Sequence, residues 1–145
     1  AIAIRKVLLG EPITIFGDGN QKRAFSSCEC LNLPIEQLLY DRNGHVFNIG
    51  SSKPIRILDA AELIQKVGKQ LGYDSDIVHL DERKEVKLAW SSTEKAEQML
   101  DFEDNTDLEK LVREMFEFAI ETKRYLLPVN KVDYEITKNL PESWK

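Results

Sequence analysis

The sequence predicts an α/β fold with few short strands and three to five helices. Two patterns carry that expectation. Apolar residues recur at helical spacing at Leu58, Ala61, Ile64, Val67 and Leu71, and again along 107–123. Between these stretches lie short apolar runs bounded by Gly, Pro, Asp and Asn, the pattern of strands joined by turns. A chain of 145 residues is long enough for one domain with its own core, and too short for two. With 42% hydrophobic and 31% charged residues, the balance is that of a soluble globular protein.

The first ten residues are apolar but interrupted by Arg5 and Lys6, and no small-residue cleavage site follows. They read as the last turns of a helix and not as a signal peptide, which carries the expectation that the chain continues upstream. Gly10 suits the position just past a helix end, and Pro12 keeps the helix from resuming. Ile13, Ile15 and Phe16 predict a short strand, and Gly17-Asp18-Gly19-Asn20 a tight turn. A helix is expected over 31–40 with Pro34 in its first turn, then a turn over 41–44. The run 46–49 (Val46, Phe47, Asn48, Ile49) predicts a strand buried on both faces. The apolar stripe places a helix over 58–71, stopped by Gly72, and 76–80 reads as another strand. Ser91 with Glu94, and Thr106 with Glu109, have capping-box spacing and predict helices over 92–100 and 107–123. The second should bury Leu108, Leu111, Val112, Met115, Phe118 and Ala119. Residues 1–124 are thus expected to form one lobe and 125–145 an extended tail.

Composition excludes several functions. A net charge of −5 argues against a nucleic-acid surface, which needs clustered Lys and Arg. A small anionic ligand needs only two or three placed arginines and stays open. No apolar run approaches the roughly 20 residues that span a bilayer. Cys28 and Cys30 stand too close together for easy disulfide geometry, and with only His45 and His79 besides, a zinc site is not expected. Two reduced thiols fit a cytoplasmic protein.

Two motifs invite a catalytic reading and fail it. Gly17-Asp18-Gly19 follows a strand, but Lys22 stands where a third glycine would open a phosphate-cradling helix, so a tight turn is expected. Tyr134 and Lys138 have the spacing of a tyrosine–lysine acid/base pair, but Thr137 and Pro141 surround them with poor helix formers. They are expected outside any helix. No catalytic, cofactor-binding or metal-binding residue is assigned.

Arg23 and Arg83 would each count alone as solvated surface charges. Their surroundings say more. Gly10-Glu11-Pro12-Ile13 through Phe16-Gly17-Asp18-Gly19-Asn20-Gln21-Lys22-Arg23 resembles the pattern GEPITIYGDGxQxRDF. Val46-Phe47-Asn48-Ile49-Gly50-Ser51 is similar to YNIGS, and Arg83-Lys84-Glu85-Val86-Lys87 to RHEVK. The helix from Thr106 to Ala119 resembles TSLEEGLRxMxEWA, and Ile136 to Trp144 is similar to the ending of some members. These motifs, in this order and over nearly the whole chain, resemble the C-terminal half of NAD-dependent nucleotide-sugar epimerases and dehydratases, UDP-glucose 4-epimerase-like enzymes of the extended short-chain dehydrogenase family.

The resemblance implies a substrate-binding lobe whose Rossmann half is absent from these residues. The parent would be an isomerase or dehydratase acting on a UDP-sugar or another nucleotide sugar. NAD, the glycine-rich loop and the catalytic Ser/Thr, Tyr and Lys would belong to the N-terminal half. The lobe by itself would be inert. Substrate roles would fall on Ile15 and Phe16, whose strand offers backbone groups to the base, on Arg23 in the nucleotide pocket, on Arg83 at the diphosphate, and on Glu85 as acceptor for the ribose. Two arginines from different loops can each offer forked donors to one diphosphate. The chain departs from the pattern at Ala24 and Ser27, where an acid and a tyrosine are usual, and at Glu29 and Cys30. That stretch favours a rival, a free-standing nucleotide-sugar-binding or assembly module derived from such an enzyme. Partners are expected to be the nucleotide sugar, the N-terminal half and, through the uncovered edge of 46–49, a second copy.

Overall fold

The structure, a computed structural model, describes residues 1–40 and 44–127. It is an α/β lobe in which helices α1 (Ile2–Leu8), α3 (Ile57–Gln70) and α5 (Leu108–Thr122) stack beside a two-stranded parallel sheet. That sheet pairs β1 (Ile13–Phe16) with β4 (Ile77–Leu80), from Ile13 opposite Ile77 to Phe16 opposite Leu80. A second, smaller sheet has β2 (Lys22–Arg23) at its centre, antiparallel to β3 (Ile55–Arg56) and parallel to β5 (Leu88–Ala89). Helices α2 (Asn32–Leu38) and α4 (Glu94–Met99) complete the lobe.

The main core forms where the apolar stripes of the three long-range helices meet β1. Ile4, Val7, Ile13, Ile15, Ala61, Val67, Val112 and Phe116 are buried together. Gly68 sets how closely the helices approach. A Cβ there would stand 2.7 Å from Val7 Cγ1 and 3.3 Å from the Phe116 ring, so only hydrogen fits between α1, α3 and α5. A second cluster joins Ala96, Leu100 and Phe102 with the partly buried Cys30, Leu38, Phe47 and Ile49.

Most expected elements stand where the sequence puts them, including α1, β1, the 17–20 turn, α3, β4 and α5. The helix expected over 31–40 is a 3₁₀ turn at Cys28–Leu31 that runs into α2. Four details are corrected. The run 46–49 is not a strand. Val46 is 82% exposed, while Phe47 and Ile49 turn onto the second cluster. Lys95 Nζ donates to the Val46 carbonyl at 2.9 Å and lies 4.6 Å from the Phe47 ring centre, so a helix side chain stands where a ladder would need a partner strand.

Second, neither capping box forms as spaced. Helix α4 starts from Thr93, whose hydroxyl donates to Glu97 at 2.6 Å, and α5 starts from Asp107, which accepts from the Lys110 amide at 3.0 Å. Third, Thr106 is spent elsewhere: it accepts from the Ser27 amide at 2.9 Å and donates to Asp104 at 2.6 Å, tying the 3₁₀ turn to the start of α5. Fourth, the buried aromatic of α5 is Phe116, at 0% exposure, and not Phe118, at 58%. The short strands β2, β3 and β5 had no period long enough to read. The expected turn at 41–44 falls largely, and the tail pair Tyr134 and Lys138 wholly, outside the described residues. Of the expected 125–145 tail only the start is described, a 3₁₀ turn at Arg124–Leu126.

Candidate functional site

The site follows from the direction of two strands. Because β1 and β4 are parallel, the turn after Phe16 and the loop after Leu80 leave from the same, carboxyl end. That end is where open α/β sheets hold ligands. The Gly17 amide donates to the Leu80 carbonyl at 2.9 Å, and His79 Nδ1 lies 2.7 Å from the Gly17 carbonyl, so the two loops are fastened together.

The 17–20 turn is shaped by its own side chains. Asp18 accepts from the Asn20 amide at 2.9 Å and from its side-chain nitrogen at 2.7 Å. These bonds hold the Asp18 carboxyl below the usual carboxylate range, the backbone bond being the larger cause. Gly19 has φ +75°, and a Cβ on it would fall 2.9 Å from Leu58 Cβ and 3.2 Å from Ile15. Any other residue would push the turn off the start of α3, whose Leu58 amide donates to the Gly19 carbonyl at 3.1 Å. The turn then enters β2 and not a helix, so it is not a strand–turn–helix cradle for a pyrophosphate, and the described residues offer no fit for NAD at this turn.

Of the expected site residues, Phe16, Arg83 and Glu85 line one cleft, and Arg23 reaches it through Glu85. Arg23 and Arg83 come from different loops and converge on one carboxylate. Arg23 Nη2 lies 3.2 Å from Glu85 Oε2, and Arg83 Nε 3.8 Å from Glu85 Oε1. The Arg83 guanidinium also stacks over the Phe16 ring, 3.8 Å from its centre, which fixes its plane and leaves the rest of its donor fork unused among the described residues. Arg23 Nη1 donates to the Lys22 carbonyl at 2.7 Å. Ile15 buries its side chain in the core at 2% exposure and does not line the cleft, which leaves only its backbone for the expected contact with a base.

Reading by single motifs missed Gln21, Glu82 and Lys87. Gln21 Nε2 donates to the Phe16 carbonyl at 3.2 Å and to Glu85 at 3.3 Å, binding the strand end to the second loop. Spacing alone separates them, since Gln21 stands two residues before Arg23 and Lys87 two after Glu85, whereas Glu82 stands outside that alternation. Gln21 immediately precedes β2, and Arg83, Glu85 and Lys87 lie on the irregular loop that leads into β5. The pairing of β2 with β5, fastened by the Lys22 amide to the Lys87 carbonyl at 2.8 Å, brings Gln21 and Arg23 within reach of Glu85.

The cleft between them holds about 110 Å³ and is lined by Phe16, Gly17, Asp18, Asn20 and Gln21 on one side and Glu82, Arg83, Glu85 and Lys87 on the other. A whole drug-sized ligand needs about 300–1,000 Å³. The cleft is therefore large enough for one polar portion of a ligand, with cations to grip an anion and carboxylates to accept from hydroxyls.

Among the described residues, no helix is long and apolar enough to cross a membrane, and no group of His, Cys, Asp and Glu is placed to hold a metal ion.

No protein-family model matches the chain. It is 31% identical over 96 residues to a trifunctional UDP-glucose 4,6-dehydratase/UDP-4-keto-6-deoxy-D-glucose 3,5-epimerase/UDP-4-keto-L-rhamnose-reductase of Arabidopsis thaliana, a match that covers 56% of this chain and 14% of that one. Among solved structures it is similar to a UDP-glucose 4-epimerase with UDP-glucose from Thermotoga maritima, with a TM-score of 0.75 and 25% identity over 84% of this chain and 39% of that one. A UDP-N-acetylglucosamine 4-epimerase from Methanobrevibacter ruminantium, in complex with UDP-N-acetylmuramic acid, gives a TM-score of 0.72 and 26% identity over 83% and 38%. The chain therefore spans from 14% to 39% of the length of these three proteins. In sequence and fold it is similar to a partial lobe of the nucleotide-sugar epimerases and dehydratases of the extended short-chain dehydrogenase type.

Proposed function

We propose that this chain is the substrate-binding, C-terminal portion of an NAD-dependent nucleotide-sugar epimerase or dehydratase, of the UDP-sugar 4-epimerase type, and that it is inert without an N-terminal half. The observation that carries the reading is the convergence of Arg23 and Arg83, from separate loops, at the carboxyl end of the β1–β4 pair. Arg83 stacked on Phe16 is the diphosphate ligand, Arg23 supports it from β2, and Glu85 accepts from the ribose. The Phe16 end of β1 lies against the base. The small volume of the cleft fits a wall that a second lobe completes. NAD and the acid/base residues belong to that second lobe, and no catalytic step is assigned to the residues of this one.

A second copy is the other partner in this reading. With 46–49 outside any sheet, uncovered apolar side chains of the parallel pair lie instead on β4, where Val78 and Leu80 are 40% and 41% exposed. A parallel sheet is ordinarily covered on both faces, so this apolar surface favours association.

The test is complementation. The 145-residue protein alone should convert no UDP-glucose, whereas its co-expression with the Rossmann half of a related epimerase should restore NAD-dependent turnover. Arg83→Ala in the complemented enzyme should raise KM about tenfold or more, the loss of a charge-assisted hydrogen bond. Turnover by the pure chain would refute the claim of inertness, and an unchanged KM would remove Arg83 from the site.

A further inference from the structure

We propose that Glu85 is the resident counter-anion of the cleft, which a phosphorylated ligand must displace before Arg23 and Arg83 can grip it together. The inference rests on the nucleotide-sugar reading above and adds a control on when that site can bind. Two donors bond this one carboxylate, Gln21 Nε2 at 3.3 Å and Arg23 Nη2 at 3.2 Å, and Arg83 Nε pairs with it at 3.8 Å. A phosphate bridging the two guanidinium groups needs the same position. Glu85 already holds it, with its side chain 26% exposed.

The two arginines are not equally committed. Both terminal nitrogens of Arg23 are engaged, Nη1 by the Lys22 carbonyl at 2.7 Å and Nη2 by Glu85. Among the described residues, Arg83 is held only by its long contact to Glu85 and by the Phe16 ring, and its side chain is 46% exposed. An incoming phosphate therefore meets Arg83 first. Arg23 follows once Glu85 has left it, because the carboxylate neutralises its Nη2 edge until then. Gln21 gives the displaced carboxylate a partner to keep, since its bond to Glu85 goes to the oxygen that Arg23 does not hold. The exchange swaps one anion for another on the same cations. It also makes a weak or singly charged anion a poor competitor, because it must overcome an intramolecular carboxylate.

Titration calorimetry of the full chain with inorganic pyrophosphate and with UDP tests this. Glu85→Gln keeps the shape and removes the charge, and it should bind both probes about three- to tenfold more tightly than the wild type, the scale of two part-exposed ion pairs released. Glu82→Gln removes one charge from the same cleft without an arginine partner among the described residues, and it should change affinity less. Circular dichroism establishes that each variant is folded, and Glu85→Ser is read in the same way should Glu85→Gln not fold. Binding to the wild type that Glu85→Gln leaves unchanged or weakens overturns the counter-anion role and leaves the nucleotide-sugar reading standing. An equal gain from Glu82→Gln also overturns it, because net charge alone would then be the cause. No binding of either probe to the wild type or to any Glu85 variant overturns both, as does binding that survives the joint change of Arg23 and Arg83 to Gln.

Discussion

Asp104 shows how much one buried contact network can decide at a single residue. Burial works against its charge, but hydrogen bonds from Ser51 and Thr106 prevail and hold its carboxyl below the ordinary value of 3.8. A depressed carboxylate stabilises the fold above its unfolded pKa, and that contribution is lost as pH falls through the folded value. Asp104→Asn should therefore lower the melting temperature at pH 7 and lose its effect progressively below pH 3.8, a difference that thermal scans from pH 7 to pH 2.5 would measure. A constant difference across that range would mean that packing, and not charge, is what the residue supplies. Thr106 belongs to the same network, which is why it is not free to cap α5. The sequence showed a capping box at Thr106 and Glu109, and a hydroxyl with two candidate uses cannot be assigned from spacing alone.

At the scale of elements, α5 tests the difference between a pattern and a packed face. The apolar residues of this helix cover more than one stripe, and periodicity admitted Phe118 as readily as Phe116. The neighbours decide: Phe116 points to Gly68 of α3, which has no side chain to exclude it. Phe116→Ala should cost about 3–5 kcal/mol of stability in urea unfolding, and Phe118→Ala less than about 1 kcal/mol. Equal costs would contradict this packing. Gly68→Ala should cost about 1–3 kcal/mol although alanine is the better helix former, because its methyl group meets Val7. A stabilised variant would show that α1 can move aside. The run 46–49 teaches the same lesson for strands. Its composition suited a strand, but a strand exists only when a partner lies beside it, and α4 occupies that place.

For the whole molecule, the exposed apolar side chains of β4 make an expectation about association. Sedimentation should show mass increasing with concentration across the micromolar range, and the joint change of Val78 and Leu80 to Lys should abolish it. A wild-type chain that stays monomeric would show that this face needs no cover. The sequence by itself determined the α/β class, the helical stripes of α3 and α5 and the strands β1 and β4, and it carried the expectation that Arg23 and Arg83 serve one ligand. Those features rest on local periodicity, on turn residues and on motif resemblance, all of which act within a few residues of the chain. Only the tertiary structure decided that β2 and β5 pair, that Gln21 joins Glu85 beside the arginines, and that Phe116 fills the core. Each of these depends on contacts between segments more than 45 residues apart in the chain, as with Gln21 and Glu85 at a separation of 64. Strands of two residues carry no period, and the partner of a carboxylate is set by which loops the parallel pair brings to one end.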